Sequence, residues 1–179
     1  CRFAQPKLSF LGHTVSKDGI QPDAEHVKAI TDCKPPKTVT QVRSYLGLTG
    51  YYRRFIKGYA KIAAPIIRLT QKDVEFEWTE RCQKAFEEIQ EKLVTEPILC
   101  FPDLTKDFVL YVDASTEGLG AVLSQEDEEG NHRVVSYASR ALRKHEKNYA
   151  VTDLEMLAIV WAFGHYRTYL LGKPFVVVT

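Results

Sequence analysis

Cysteine, methionine and tryptophan are scarce here, at four, one and two among 179 residues. Cys1, Cys33, Cys82 and Cys100 are too widely spaced for a zinc knuckle and too few for a disulfide framework. They read as reduced thiols of an intracellular protein. The five histidines, at 13, 26, 132, 145 and 165, share no metal-ligand spacing with one another or with cysteine. Long apolar runs are also missing. The most apolar stretch, "LEMLAIVWAFGHYRTYLL", contains Glu155, His165 and Arg167, and a membrane span needs ~20 apolar residues. No membrane partner is therefore expected. There is no internal repeat, no low-complexity tract and no basic-then-apolar leader. The start at Cys1 rather than Met suggests a piece of something longer.

What is present is an ordinary globular mixture, 45% hydrophobic and 26% charged, with a net charge of +1. That small net charge hides segregation. Residues 1–73 carry 13 Lys and Arg against 5 Asp and Glu, residues 74–131 carry 4 against 15, and residues 132–179 carry 7 against 3. A basic first third points to a polyanion partner, against the alternative of a solvated basic face.

Hydrophobic periodicity divides the chain. "KLSFLGHTVS" alternates and predicts a strand over 7–16, with a turn at Asp18-Gly19. Pro22-Asp23 opens a short helix to about Cys33, with Ala24, Val27 and Ile30 on one face. "KPPK" stops it. A longer helix is predicted from about Thr40 to Lys57, its stripe running through Val42, Leu46, Thr49 and Tyr52 or Arg53 and widened by Tyr45, Leu48, Phe55 and Ile56. A shorter helix lies around Pro65. Thr79 is an N-cap for a helix that buries Cys82, Phe86, Ile89 and Leu93 and that Pro97 ends, with Trp78 placed as a hydrophobic staple.

Beyond residue 98 the texture changes. "DFVLYVDAS", "GAVLSQ" and "HRVVSYASR" are strands, with "EDEEGN" a hairpin loop. A helix follows from about Thr152 to Leu170, and then the strand "FVVVT". The expected order is three antiparallel strands, a helix, and a strand that the crossover lays parallel to the first. The fold class is thus mixed α and β, a helical subdomain followed by a mixed sheet.

Two acids stand out. Asp113 ends a strand whose other face carries Phe108, Leu110 and Val112. Aspartate is a poor strand residue, although a turn-starting Asp helped by Ser115 and Thr116 also explains it. Glu155 shares its helical face with Ile159, Ala162 and Tyr166, off any solvated stripe. A capping box with Thr152 is the structural alternative. A helix crossing back over the strand brings both carboxylates into one partly buried place. There they would repel unless a hard divalent cation joined them, as in two-metal phosphodiester cleavage. Gly118 and Gly120 suit a close backbone pass or a plain hairpin.

The stretches "FVLYVDASTEGLGAVLSQ", "VVSYASRAL", "NYAVTDLEMLAIVWAFGHYRTYLLG" and "FVVVT" resemble the ribonuclease H domain of gypsy-type long-terminal-repeat retrotransposon polyproteins. "LSFLGHTVSKDGI", "PPKTVTQVRSYLGLTGYYRRFI" and "FEWTERCQKAFEEIQ" resemble what precedes it there: the end of the reverse transcriptase palm, the thumb and the link onward. The resemblance implies a palm-end hairpin over 1–20, a thumb-like helical subdomain over 21–74, a connecting helix over 75–97 and a ribonuclease H-like domain, cut short, over 98–179. It makes Asp113 and Glu155 the first two metal-binding acids, for Mg²⁺ or Mn²⁺. The third would directly follow Thr179, and no fourth is present. No Asp-Asp pair occurs in the chain, so the polymerase aspartates are expected upstream. Leu11, Gly12 and His13 match the turn that steadies a primer end, and Arg43, Gly47 and Tyr51 the face that tracks nucleic acid.

Those last three residues are four apart and share one helix face. Gly47 in mid-helix costs ~1 kcal/mol against alanine, so either nucleic acid or a packed helix approaches it. Arg53, Arg54, Lys57 and Lys61 supply phosphate partners. The implied partners are RNA–DNA hybrid, primer–template duplex and the remainder of the Pol polyprotein, in a cytoplasmic virus-like particle or the nucleus. The implied parent copies RNA into DNA and hydrolyses the RNA of a hybrid. The competing reading is a catalytically incomplete or host-retained copy that only binds nucleic acid or serves structurally. A transposase or integrase core fits less well, because it would place its second acid on a later strand. The sequence leaves the oligomeric state open.

Overall fold

Two of the first three strands are separated by two left-handed residues, and this break is where the fold departs most from the periodicity. The computed structural model describes residues 5–95 and 98–179. Two expectations, the start at Cys1 and the role of Pro97 in ending a helix, lie outside the described residues. The chain divides into two compact units, residues 1–56 with 62–98, and residues 57–61 with 99–179.

In the first unit, β1 (Lys7–Phe10), β2 (His13–Ser16) and β3 (Gly19–Pro22) form an antiparallel meander. The single strand predicted over 7–16 is two. Leu11 (φ 48°) and Gly12 (φ 71°) both adopt left-handed backbone, with Phe10 paired to His13. This is the two-residue hairpin that matches strand twist, and alternation alone does not reveal it. The second turn is Lys17-Asp18, since Gly19 already pairs with Ser16.

Asp23 caps α1 (Ala24–Thr31) by accepting from the Glu25 N–H. Of the expected face only Ile30 is fully buried. Thr38 caps α2 (Val39–Tyr51), and the Gln41 amide oxygen accepts in return from the Lys37 N–H at 2.7 Å. The predicted helix to Lys57 stops early, at a 3₁₀ turn over Arg53–Phe55. The Thr49 hydroxyl donates back to the Tyr45 carbonyl at 2.9 Å, a bond that competes with the helical ladder. Tyr52, Phe55 and Ile56 are all buried beyond the break.

Next come α3 (Tyr59–Arg68), with Pro65 inside it, and α4 (Glu80–Thr95). The predicted stripe of α4 is buried, with Ala85 added, and Trp78 meets Phe86 edge to face at 6.0 Å. The Gln90 amide donates to the Ile30 and Thr31 carbonyls at the end of α1. The Tyr45 hydroxyl donates to the Phe86 carbonyl. These bonds seat α4 among the helices of the first unit.

The second unit has the expected topology. Strands β4 (Phe108–Ala114), β5 (Gly118–Glu126), β6 (His132–Ala141) and β7 (Phe175–Val178) lie in the order β6-β5-β4-β7, with β7 parallel to β4. Between β6 and β7 run α5 (Val151–His165) and a one-turn α6 (Arg167–Leu170). The single helix predicted to Leu170 therefore breaks at Tyr166, whose buried hydroxyl donates to the Ser136 carbonyl. Phe108, Leu110 and Val112 of β4 share one core with Leu154, Ala158, Ala162 and Tyr166. The helix thus covers one face of the central strand, as a right-handed crossover requires.

Candidate functional site

Asp113 is the penultimate residue of β4, opposite Gly120 of β5. Glu155 is the fifth residue of α5. Each follows a buried residue, Val112 and Leu154, and those two belong to the same core. The acids are therefore carried on elements that pack together. They are not partly buried as expected, because both are exposed. Asp113 alternates away from the core face of its strand. The line through Glu155, Ile159, Ala162 and Tyr166 starts in solvent and is buried only from Ala162 onward.

The structural explanations for both acids fail. The N-cap of α5 is Ala150, whose side chain caps nothing, and Thr152 lies inside the helix, so no capping box forms with Glu155. The turn after β4 is closed by Ser115, whose hydroxyl accepts from the Glu117 and Gly118 N–H groups. Asp113 has no part in it. Among the described residues neither carboxylate has a hydrogen bond or an ion pair. The two nearby glycines differ. A Cβ on Gly118 would lie 2.7 Å from the Arg140 carbonyl oxygen, whereas one on Gly120 would meet only the Asp113 carbonyl, at 3.8 Å.

Periodicity missed the support beneath the segment between β6 and α5. Glu146 is buried, and its carboxylate accepts two bonds from Arg140, at 2.6 and 3.0 Å, and one from the Arg143 N–H at 2.7 Å. Those Arg140 bonds, opposed by burial and helped by the Arg143 N–H, hold its carboxyl down at about 2. Arg140 also lies over the Trp161 ring at 5.8 Å. The segment above this pair exposes Arg143, Lys144 and Lys147. A lone acid within "RKHEKN" gave the only hint.

In the first unit, Arg43, Gly47 and Tyr51 are all exposed on one face of α2. No helix packs on Gly47, since nothing lies within 4 Å of where a Cβ would stand. Arg53 is exposed. Arg54 is partly buried, with its guanidinium 5.9 Å from the Phe55 ring centre. Lys57 and Lys61 fall in the second unit.

The Leu11–Gly12 turn is held by hydrogen bonds that the sequence did not suggest. The Leu11 carbonyl accepts from the Tyr51 hydroxyl at 2.6 Å and from His13 Nδ1 at 2.9 Å. The Gly12 carbonyl accepts from the Tyr52 hydroxyl at 2.9 Å and from the Asp23 N–H at 3.0 Å. Ser9 donates to the Asp23 carboxylate. That bond and the one from the Glu25 N–H hold the Asp23 carboxyl below the usual range. His13 packs against the rings of Tyr51, Tyr52 and Phe55 at 5.2 to 5.7 Å. Burial pushes the Tyr52 phenol up to about 12, so it remains a donor.

Residues 78–177 match the family model described as the RNase H-like domain found in reverse transcriptase; the match includes α4. The whole chain is 43% identical to the retrovirus-related Pol polyprotein from transposon 297 of Drosophila melanogaster, over 16% of that protein. It is 42% identical to the polyprotein from transposon gypsy of the same organism, over 96% of this chain and 17% of the relative. The chain therefore spans well under a fifth of the length of these curated relatives. A structure of the foamy viral protease-reverse transcriptase in complex with RNA/DNA hybrid superposes with a TM-score of 0.82, covering 97% of this chain and 24% of that one at 22% identity. At that identity the likeness establishes the fold.

Proposed function

Because the chain belongs to the family of RNase H-like domains found in reverse transcriptases, we propose that it supplies two parts of a retrotransposon Pol polyprotein. The first unit grips an RNA–DNA hybrid or primer–template duplex, with the Leu11–Gly12–His13 turn at the primer end and the Arg43, Gly47 and Tyr51 face along the duplex. The second unit holds Asp113 and Glu155 against the RNA strand for hydrolysis in the whole protein.

One observation carries the nuclease reading. Two exposed carboxylates with no structural employment sit on two elements of a single core. Their donor set is oxygen only and open to water, which suits Mg²⁺ or Mn²⁺. Among the described residues no group of three or more His, Cys, Asp or Glu gathers as a metal site; Asp113 and Glu155 are the two residues that would hold such an ion. A bound ion of that kind would activate water and stabilise the leaving oxygen in phosphodiester cleavage. The two carboxylates would hold such an ion beside the scissile phosphate, and the Glu146-supported segment leads directly into α5, which carries Glu155.

Binding in the first unit needs no base contacts. Arg43 and Arg53 reach phosphates, Gly47 lets a backbone approach closely, and hybrid is distinguished by groove shape and 2′-hydroxyls. The test is titration of the chain with RNA–DNA hybrid across salt. Arg43→Ala should lower the slope of log K against log salt by ~0.7–0.9, because one phosphate is no longer neutralised. An unchanged slope would leave this only a solvated face.

A further inference from the structure

Leu11 is a non-glycine residue at φ 48° and is 70% exposed. A left-handed conformation is unfavourable for such a residue and persists where surrounding structure over-determines it. Here the surroundings are four donors on two consecutive carbonyls. A two-residue hairpin needs none of them, because it is closed by its own strand pairing. What the four bonds add is a fixed position for the turn relative to the end of α2. Tyr51 and Tyr52, the last residue of α2 and its C-cap, each reach one carbonyl.

The second bond has a backstop. The Tyr52 hydroxyl gives its one proton to the Gly12 carbonyl, so its oxygen accepts from His26 Nδ1 at 2.8 Å. His26 comes from α1, whose cap residue Asp23 supplies the other donor to Gly12. The fit leaves no room, since a Cβ on Gly12 would lie 2.7 Å from His26 Nδ1 and 2.9 Å from the Tyr52 oxygen. Leu8, Phe10, Leu11 and Tyr51 are all exposed apolar groups about this turn, an unusual concentration to hold rigidly at a surface.

We infer that Tyr52, backed by His26, is a positioning residue that latches the Leu11–Gly12 turn to the end of α2, so that turn and helix face meet the end of a duplex as one rigid element. The inference rests on the reading that this unit binds primer–template. Its ligand is the recessed 3′ end of a duplex, taken without regard to sequence. Preorganisation lowers the ordering cost of binding, so loss of the latch should weaken end binding and leave binding along the duplex unaltered.

The experiment compares the chain on two RNA–DNA hybrids of equal length, one with a recessed 3′ end and one closed by loops at both ends. The wild-type protein should prefer the recessed end. Tyr52→Phe removes only the hydroxyl. It should lose affinity for the recessed end by about three- to tenfold, the value of one hydrogen bond, with the closed hybrid and the salt slope unchanged. Equal weakening on both hybrids, or an intact preference, would make the bond merely structural and overturn the inference. If Tyr52→Phe does not fold, the exposed His26 decides. His26→Leu should lose the preference and His26→Asn, which keeps a donor, should restore it; the same loss in both would overturn the latch. A wild-type chain that binds hybrid without end preference sinks the placement of the turn at a primer end and the latch with it, one that binds neither hybrid sinks the proposed function as a whole, and an end preference that Tyr52→Phe leaves intact sinks the latch alone.

Discussion

Both carbonyls of the Leu11–Gly12 turn accept two hydrogen bonds each, while the carboxylates of Asp113 and Glu155 accept none among the described residues. On the proposed function, the difference follows from what each unit would meet. A surface that recognises duplex shape gains from rigidity, and internal hydrogen bonds provide it. A site for a hard cation must leave its oxygens unspent, because an internal donor would compete with the ion. The second unit does use other carboxylates structurally: Glu146 is buried among three donors, and Asp103 and Asp127 each accept two bonds within their loops.

The largest expected effect tests the bare site. In the full-length protein, Asp113→Asn should lower hybrid cleavage by at least about a hundredfold, as loss of a metal ligand does. Hybrid affinity should stay within about twofold, since the basic residues are untouched. An active Asp113→Asn enzyme would assign the acid no catalytic role, and a host-retained binding module would show no cleavage to lose.

Glu146 is the saturated counterpart. Its carboxyl titrates from 4.5 in the unfolded chain to about 2 in the fold. A depressed pKa contributes stability that is complete above about 4.5 and is lost as pH falls toward about 2. Glu146→Gln should therefore destabilise the second unit at neutral pH by about 1–3 kcal/mol, and the gap between the two proteins in denaturant melts should close as pH falls through about 2. A constant gap across that range would remove charge from the explanation.

Two glycines next to the acids give a smaller effect. Gly118→Ala forces a methyl against the Arg140 carbonyl and should cost about 1–3 kcal/mol. Gly120→Ala, with only an ordinary contact at 3.8 Å, should cost clearly less in the same thermal melts. The smallest effect separates stability from binding in the first unit. Gly47→Ala fills open space on a helix and should gain ~1 kcal/mol, while weakening hybrid binding if a duplex backbone approaches there. Stability and affinity rising together would leave that face without a ligand.

Much of the second unit was legible in the sequence. Strand alternation, the turn residues and the long apolar helix are local signals, and the handedness of the crossover leaves one way to lay β7 beside β4. Hence the β6-β5-β4-β7 order and the core of Phe108, Leu110 and Val112 agree with the periodicity. The first unit was less legible. The alternation of "KLSFLGHTVS" passes unbroken through Leu11 and Gly12, and the stripe of α2 runs on past the residue where the helix stops. At the turn a tertiary contact, the reach of Tyr51 and Tyr52, overrides the local pattern, and in α2 the bond from the Thr49 hydroxyl to the Tyr45 carbonyl competes with the ladder just before the helix stops.

By itself the sequence determined the types of the elements, the sheet order, the two acids as candidates and the common helix face of Arg43, Gly47 and Tyr51, because period, turn chemistry and composition are properties of short segments; that no helix packs on Gly47 was decided by the structure. Only the tertiary structure decided that Asp113 and Glu155 are exposed and structurally unemployed, that Gly118 cannot be replaced without a clash while Gly120 can, and that Tyr52 and His26 hold the turn. Each of those is set by which atoms meet across tens of residues of chain, and hydrogen bonds between such distant groups leave no period to read.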